Sequence, residues 1–221
     1  MGEDWQVAVG SGSMQVVTSS VVEKLSGREA INPSISQFAN CEIVYICTMR
    51  KHNGMRPQDI PILLKIIALG DRSWQMSDLS SSLFISNSEI SESLNRSRIA
   101  NLIDYDKKKI NRQNLMEFLE HGIRYVFPQQ PGSMTRGIPT AHSHPFMKNK
   151  FSSEMNYVWP DITGEEMGLI IEPFYPKQIY AAKEDQKFYH LLAMVDTIRV
   201  GRVREINLAV NELKKILNEP S

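Results

Sequence analysis

Several things are scarce in this chain of 221 residues, and each scarcity excludes something. There are only two cysteines, Cys41 and Cys47. If "CEIVYIC" is a strand, they share a face but lie ~20 Å apart, too far to bridge. A disulfide framework is therefore not expected, and two reduced cysteines fit a cytoplasmic protein. No apolar run approaches the ~18 to 20 residues that span a bilayer. The opening "MGEDWQVAVGSGSM" has early acidic residues and no basic segment leading an apolar core, so no secretory leader is expected. The chain has no net charge, with 25 Lys and Arg against 25 Asp and Glu.

Catalytic signatures are also missing. There is no glycine-rich phosphate loop, no nucleophile elbow and no HExxH. The Ser and Asp residues assemble no triad, so an enzyme is not expected. "AHSHP" sets His142 and His144 two apart, on one face if extended. Two ligands are not a metal site, and no Cys, Asp or Glu stands at ligand spacing. His121 and His190 read as isolated. Neither a metal nor a cofactor is expected.

What is present is an uneven distribution of charge. Residues 55–150 carry 13 Lys and Arg against 9 Asp and Glu, a net of +4. Residues 151–221 carry 8 against 11, a net of −3, and residues 1–54 carry 4 against 5, a net of −1. A basic middle beside an acidic tail fits a polyanion-binding module joined to a part with another task. At 42% hydrophobic the chain can also bury a core.

Three segments are expected. Residues 1–54 form a poorly organised extension with a linker-like "GSGS" and one β-prone run, and organised sequence begins at Met55. Residues 55–148 open with a helix over Arg56–Gly70, where Ile60, Leu63, Leu64, Ile67 and Ala68 recur at helical spacing. A short helix follows over Ser73–Phe84, with Ser77 as N-cap and Leu79 and Leu83 inward. A third begins at Ser86. Glu89 three residues later makes a capping box, and Ile85 with Ile90 makes a hydrophobic staple. Its other face shows Asn87, Ser88, Ser91, Glu92, Asn95 and Arg98. A fourth helix covers Ile110–Gly122. "IRYVFP" alternates like a strand, "QQPGSMTRG" reads as a turn or hairpin tip, and "IPTAH" as the returning strand. Residues 149–221 are loop-rich to Glu166. They continue with a short strand in "MGLIIEPFYP", a turn or two of helix in "KQIYAAKED", and strong helices over Gln186–Gly201 and Arg202–Pro220.

The third helix and its approach carry a resemblance. Helix-turn-helix units tend to read Leu-Ala-x-x-Leu-Gly-Ile-Ser, three variable residues, then Val-Ser-x-x-Leu. Here Leu79-Ser80-Ser81-Ser82-Leu83-Phe84-Ile85-Ser86 is followed by Asn87-Ser88-Glu89 and Ile90-Ser91-Glu92-Ser93-Leu94. Ser80 stands where Ala is usual. Phe84 stands where the turn usually has Gly, which tolerates positive φ. With the elements around it, residues 56–140 resemble the MarR-type or ArsR-like winged helix-turn-helix transcriptional regulators of prokaryotes. The implied fold is mainly α with a small β-wing, followed by a C-terminal helical region.

That resemblance implies a sequence-specific regulator of double-stranded DNA. Its recognition helix, Ser86–Ile103, would lie in the major groove and its wing, about Ile123–Thr140, on the adjacent backbone or minor groove. Ser86, Asn87, Ser88, Ser91 and Asn95 are the candidates for groove contact. Arg96 and Arg98 on the helix, with Arg124 and Arg136 around the wing, are candidates for phosphate or minor-groove contact. "DKKK" (Asp106–Lys109) reads as a solvated loop or an electrostatic aid. Glu92 is set aside because phosphates repel a carboxylate. The amphipathic C-terminal helices suit a homodimer on two half-sites, or the capture of another protein. In that alternative the winged helix is only a scaffold for a protein-interaction module.

Overall fold

The computed structural model of the chain describes residues 54–151, 153 and 155–218. The expected extension, with Cys41 and Cys47, lies outside the described residues apart from Gly54. The described chain is mainly helical with a small three-stranded sheet. None of its helices is long and apolar enough to cross a membrane.

Helix α1 is Asp59–Leu69. It is buried on more than the expected stripe: Ile62 and Ile66 join Ile60, Leu63, Leu64 and Ile67, while Ala68 is only half-buried. Even Lys65 is buried, its Nζ 2.8 Å from Asp185 Oδ2. The helix stops at Gly70, whose φ of 64° and ψ of −136° a side chain would strain. Helices α2 (Met76–Leu83) and α3 (Asn87–Ile99) follow, both packed on α1.

The fourth helix does not end at Gly122. α4 (Arg112–Glu117) runs through a π-turn at Phe118–Gly122 into α5 (Ile123–Val126). The expected strand over Ile123–Pro128 is therefore helical at its start. Ile123 and Phe127 are buried while Arg124, Tyr125 and Val126 are exposed, which is the i, i+4 spacing of a helix and not the alternation of a strand.

The sheet is the largest departure from expectation. β1 is Met134–Pro139, taking in part of what reads as a hairpin tip. Its partners are β2 (Tyr157–Pro160), within the stretch expected to be loop, and β3 (Glu166–Ile170). β1 runs antiparallel to both, pairing Ile138 with Trp159 and Arg136 with Met167. β2 and β3 run parallel, so each strand borders the other two. Such tight closure needs glycine. A Cβ on Gly137 would lie 1.9 Å from the Trp159 carbonyl oxygen, and one on Gly164 would lie 2.3 Å from Gly137 backbone. No wing hairpin forms over 123–140. Because β1 pairs with strands beyond residue 148, the described residues share one core across the expected domain boundary.

A 3-10 turn (Ala141–Ser143) and α6 (Pro145–Lys148) lead from β1, and α7 (Gln178–Glu184) follows β3. α8 (Gln186–Val200) is the central helix, with Leu191 through Arg199 all buried. α8 packs on α1, on α7, on the 3-10 turn and on α9 (Val203–Asn218). Asp196 on α8 is fully buried. It accepts from Thr140 Oγ1 (2.9 Å), Trp159 Nε1 (2.7 Å) and Arg199 Nη1 (2.8 Å). These bonds fasten the sheet to the helical core, because a buried carboxylate is tolerated only when its oxygens are satisfied.

Candidate nucleic-acid interface

The two helices of interest meet at a three-residue turn, Phe84–Ser86. α2 starts two residues earlier than Ser77 would allow: Gln75 is its N-cap, and Asp78 Oδ2 accepts the Gln75 amide at 2.8 Å. Leu79 and Leu83 face the core as expected. Phe84 then adopts φ 56°, ψ 35°, the left-handed geometry that Gly usually supplies. Ser80, in the place of the usual Ala, has a role the sequence comparison missed. Its Oγ donates to the Ile85 carbonyl at 2.6 Å and clamps the turn.

α3 starts where the capping argument places it. Ser86 accepts the Glu89 amide at 3.3 Å, and Ile85 and Ile90 both pack into the core. The reciprocal half of the capping box is replaced. Glu89 does not turn back to the cap but accepts from Arg96 Nη2 (2.9 Å), Gln58 Nε2 and Arg56 Nη1 (3.4 Å). The helix also ends at Ile99, four residues before the expected limit, and Asn101 takes φ 57°.

Arg96 does not belong to the interface. It is 5% exposed, and it grips Asp59 through Nε (2.9 Å) and Nη2 (2.7 Å). The hydrogen-bonded Asp59 carboxylate raises its affinity for the proton still further. A phosphate would have to displace two buried carboxylate contacts to reach it. Arg96 instead fixes the rotation of α3 against α1 and leaves the opposite face outward. Ser93 and Ser97 lie on the inward side, buried, where small side chains permit close helix approach.

The outward face is small and polar for most of its length. Ser86, Asn87 and Ser88 are exposed; Ser91, Asn95 and Arg98 are half-buried. The exposed Glu92 and Ile99 also lie on it. Arg98 stacks its guanidinium 5.3 Å from the centre of the Tyr105 ring. Of the nine candidates, the structure therefore gathers Ser86, Asn87, Ser88, Ser91, Asn95 and Arg98 on α3.

The other two stand apart. Arg136 is exposed on β1, opposite Met167, and its carbonyl accepts the Asp161 amide at 3.1 Å. Asp161 in turn pairs with Lys183 on α7 at 2.7 Å. Burial works against ionisation of the Asp161 carboxyl, but bonds from Lys183 and Thr163 outweigh it and hold the group below its ordinary range. α7 reaches the turn between α2 and α3 through Tyr180, whose ring meets Phe84 edge-on at 6.4 Å. Arg124 is exposed on α5, which packs against α8.

The histidines group differently from expectation. His190 is not isolated: its ring lies 5.2 Å from that of His144 and 3.5 Å from Glu212 Oε1. His142 stacks edge-on against Tyr157. Among the described residues, no group of three or more His, Cys, Asp or Glu is placed to hold a metal. Comparison with protein-family models, with curated proteins and with solved structures finds no match for this chain.

Proposed function

We propose that this chain is a sequence-selective double-stranded DNA-binding protein that acts in transcription regulation, with α3 entering the major groove. One observation carries the reading. α3 is locked from behind by the Arg96–Asp59–Glu89 cluster while its front offers Ser86, Asn87, Ser88, Ser91 and Asn95. A helix held at one rotation with small hydrogen-bonding residues outward suits base edges. Asn95 sits near the middle of that face, and an Asn amide matches the N6 and N7 edge of adenine. Two copies on a two-fold site remain part of the proposal.

The alternative, an interaction module working through the C-terminal helices, has less to stand on. The apolar stripe of α9 (Ala209, Val210, Leu213, Leu217) is covered by the chain's own core, and α8 is buried along its length.

Selection from a randomised duplex pool is the test. The proposal expects one enriched motif, bound in preference to a scrambled duplex, with that preference reduced by Asn95→Ala. A folded protein that enriches nothing would refute it.

A further inference from the structure

The expected backbone contacts around Arg124 and Arg136 find no hairpin to carry them. A different hairpin stands directly after α3. Ile103 and Ile110 form an antiparallel bridge, with Asn111 N–H on the Leu102 carbonyl (2.9 Å) and Asp104 N–H on the Lys109 carbonyl (2.9 Å). Its tip is Asp104–Lys109. Asp104 Oδ1 accepts both the Lys108 amide (2.7 Å) and the Lys109 amide (3.0 Å), and Lys107 sits at φ 57°. The backbone of the tip is thus pinned from inside by its own carboxylate.

The three lysines are not equivalent. Lys108 folds back, its Nζ 4.7 Å over the Trp74 ring and 3.4 Å from the Trp74 carbonyl. Lys107 and Lys109 enter no ion pair that the structure records, and Lys109 is exposed. Asp71, Asp104 and Asp106 are nearby carboxylates; Asp104 is engaged by the Lys108 and Lys109 amides, and none of the three forms a recorded ion pair with Lys107 or Lys109. Tyr105, 80% exposed, carries Arg98 on its ring. Arg98 lies at i+7 from Ser91 and i+3 from Asn95, so the exposed face of α3 continues through Arg98 and Tyr105 to the tip.

We infer that the 103–110 hairpin is a second contact element of the same surface, with Lys107 and Lys109 gripping backbone phosphates beside the groove that α3 enters. A large, exposed tyrosine held by a cation beside a pinned basic turn suits a sugar–phosphate edge. The inference rests on the DNA-binding reading and adds to it where the phosphates lie.

The test is the salt dependence of binding to a mixed-sequence DNA duplex, for the full chain, for K107A/K109A and for Lys215→Ala on α9. Each phosphate contact contributes about 0.9 to the slope of log affinity against log salt. K107A/K109A is expected to lower that slope by about 0.9 per lysine, and to weaken cognate and scrambled duplexes by the same factor. Lys215→Ala is expected to leave the slope unchanged. If the parent binds and K107A/K109A matches its slope, the hairpin inference is overturned while the α3 reading stands. An equal fall with Lys215→Ala also overturns it, since net charge would then be the cause. A parent that binds no duplex at low salt, or prefers double-stranded RNA, overturns both.

Discussion

Arg96→Ala separates structure from recognition most sharply. By residue type alone this arginine belongs with Arg98 as a DNA contact. In the fold it is a buried cation with a bidentate hold on Asp59 and a third bond to Glu89. Removing it leaves the Asp59 carboxylate, itself 0% exposed, without its counter-charge. Breaking a buried pair from one side costs about 3 to 5 kcal/mol. For a domain of this size each kcal/mol shifts the melting temperature by roughly 2 to 4 °C. The expected fall is therefore about 6 to 20 °C, read by thermal unfolding of the variant beside the parent. A double substitution, Arg96→Met with Asp59→Leu, removes both charges and is expected to recover part of the loss. Recovery is incomplete because Asp59 Oδ2 also accepts the Arg56 amide at 2.8 Å. If Arg96→Ala melts with the parent yet loses DNA binding, the assignment of this residue to the core is wrong.

Three further outcomes can be stated. Phe84→Gly relieves a left-handed residue by about 1 kcal/mol and gives up an exposed edge contact with Tyr180, so its stability should stay within ~1 kcal/mol of the parent, whereas β-branched Phe84→Val should lose more in denaturant titration. Gly137→Ala drives a methyl into the Trp159 carbonyl and should destabilise the sheet by more than about 2 kcal/mol, with the loss of Trp159's buried fluorescence as the local readout. Burial, helped by neighbouring His190, pushes His144 from 6.5 down to about 4. The unfolded chain then takes up the proton first. Stability is complete above pH 6.5 and falls as pH drops towards 4, by up to about 3 kcal/mol from this group. His144→Gln should flatten that slope in unfolding curves recorded across the window.

Local signals were legible and remote ones were not. The end of α1 at Gly70, the start of α3 and the helices of the last 40 residues follow from periodicity, a terminating glycine, a cap and a staple, all of which act within a few residues. The sheet follows from nothing so local. β1 meets β2 and β3 only because Gly137 and Gly164 allow three backbones to close, and because Thr140 and Trp159 reach Asp196. A glycine in a stretch rich in turn-forming residues reads as a turn until its partner strands are known. The same limit explains "IRYVFP", where a run of large residues in six positions fits both periods and packing of Ile123 and Phe127 decides for the helix.

The candidate site divides along the same line. Arg96 and Arg98 are two residues apart on one helix, about 200° around its axis. That separation shows they cannot serve one surface, but not which of them faces inward. Asp59, 37 residues earlier in the chain, settles it, by placing a buried carboxylate behind α3 at Arg96. Once that contact is made the remaining assignments follow in order. Ser88, Ser91, Asn95 and Arg98 must face out, Arg98 finds Tyr105, and Tyr105 brings the 103–110 hairpin alongside the helix. A buried ion pair is weak evidence for stability in itself. Here its consequence is orientation: it selects one rotation of a helix whose apolar stripe, Ile90 and Leu94, is too narrow to do so alone.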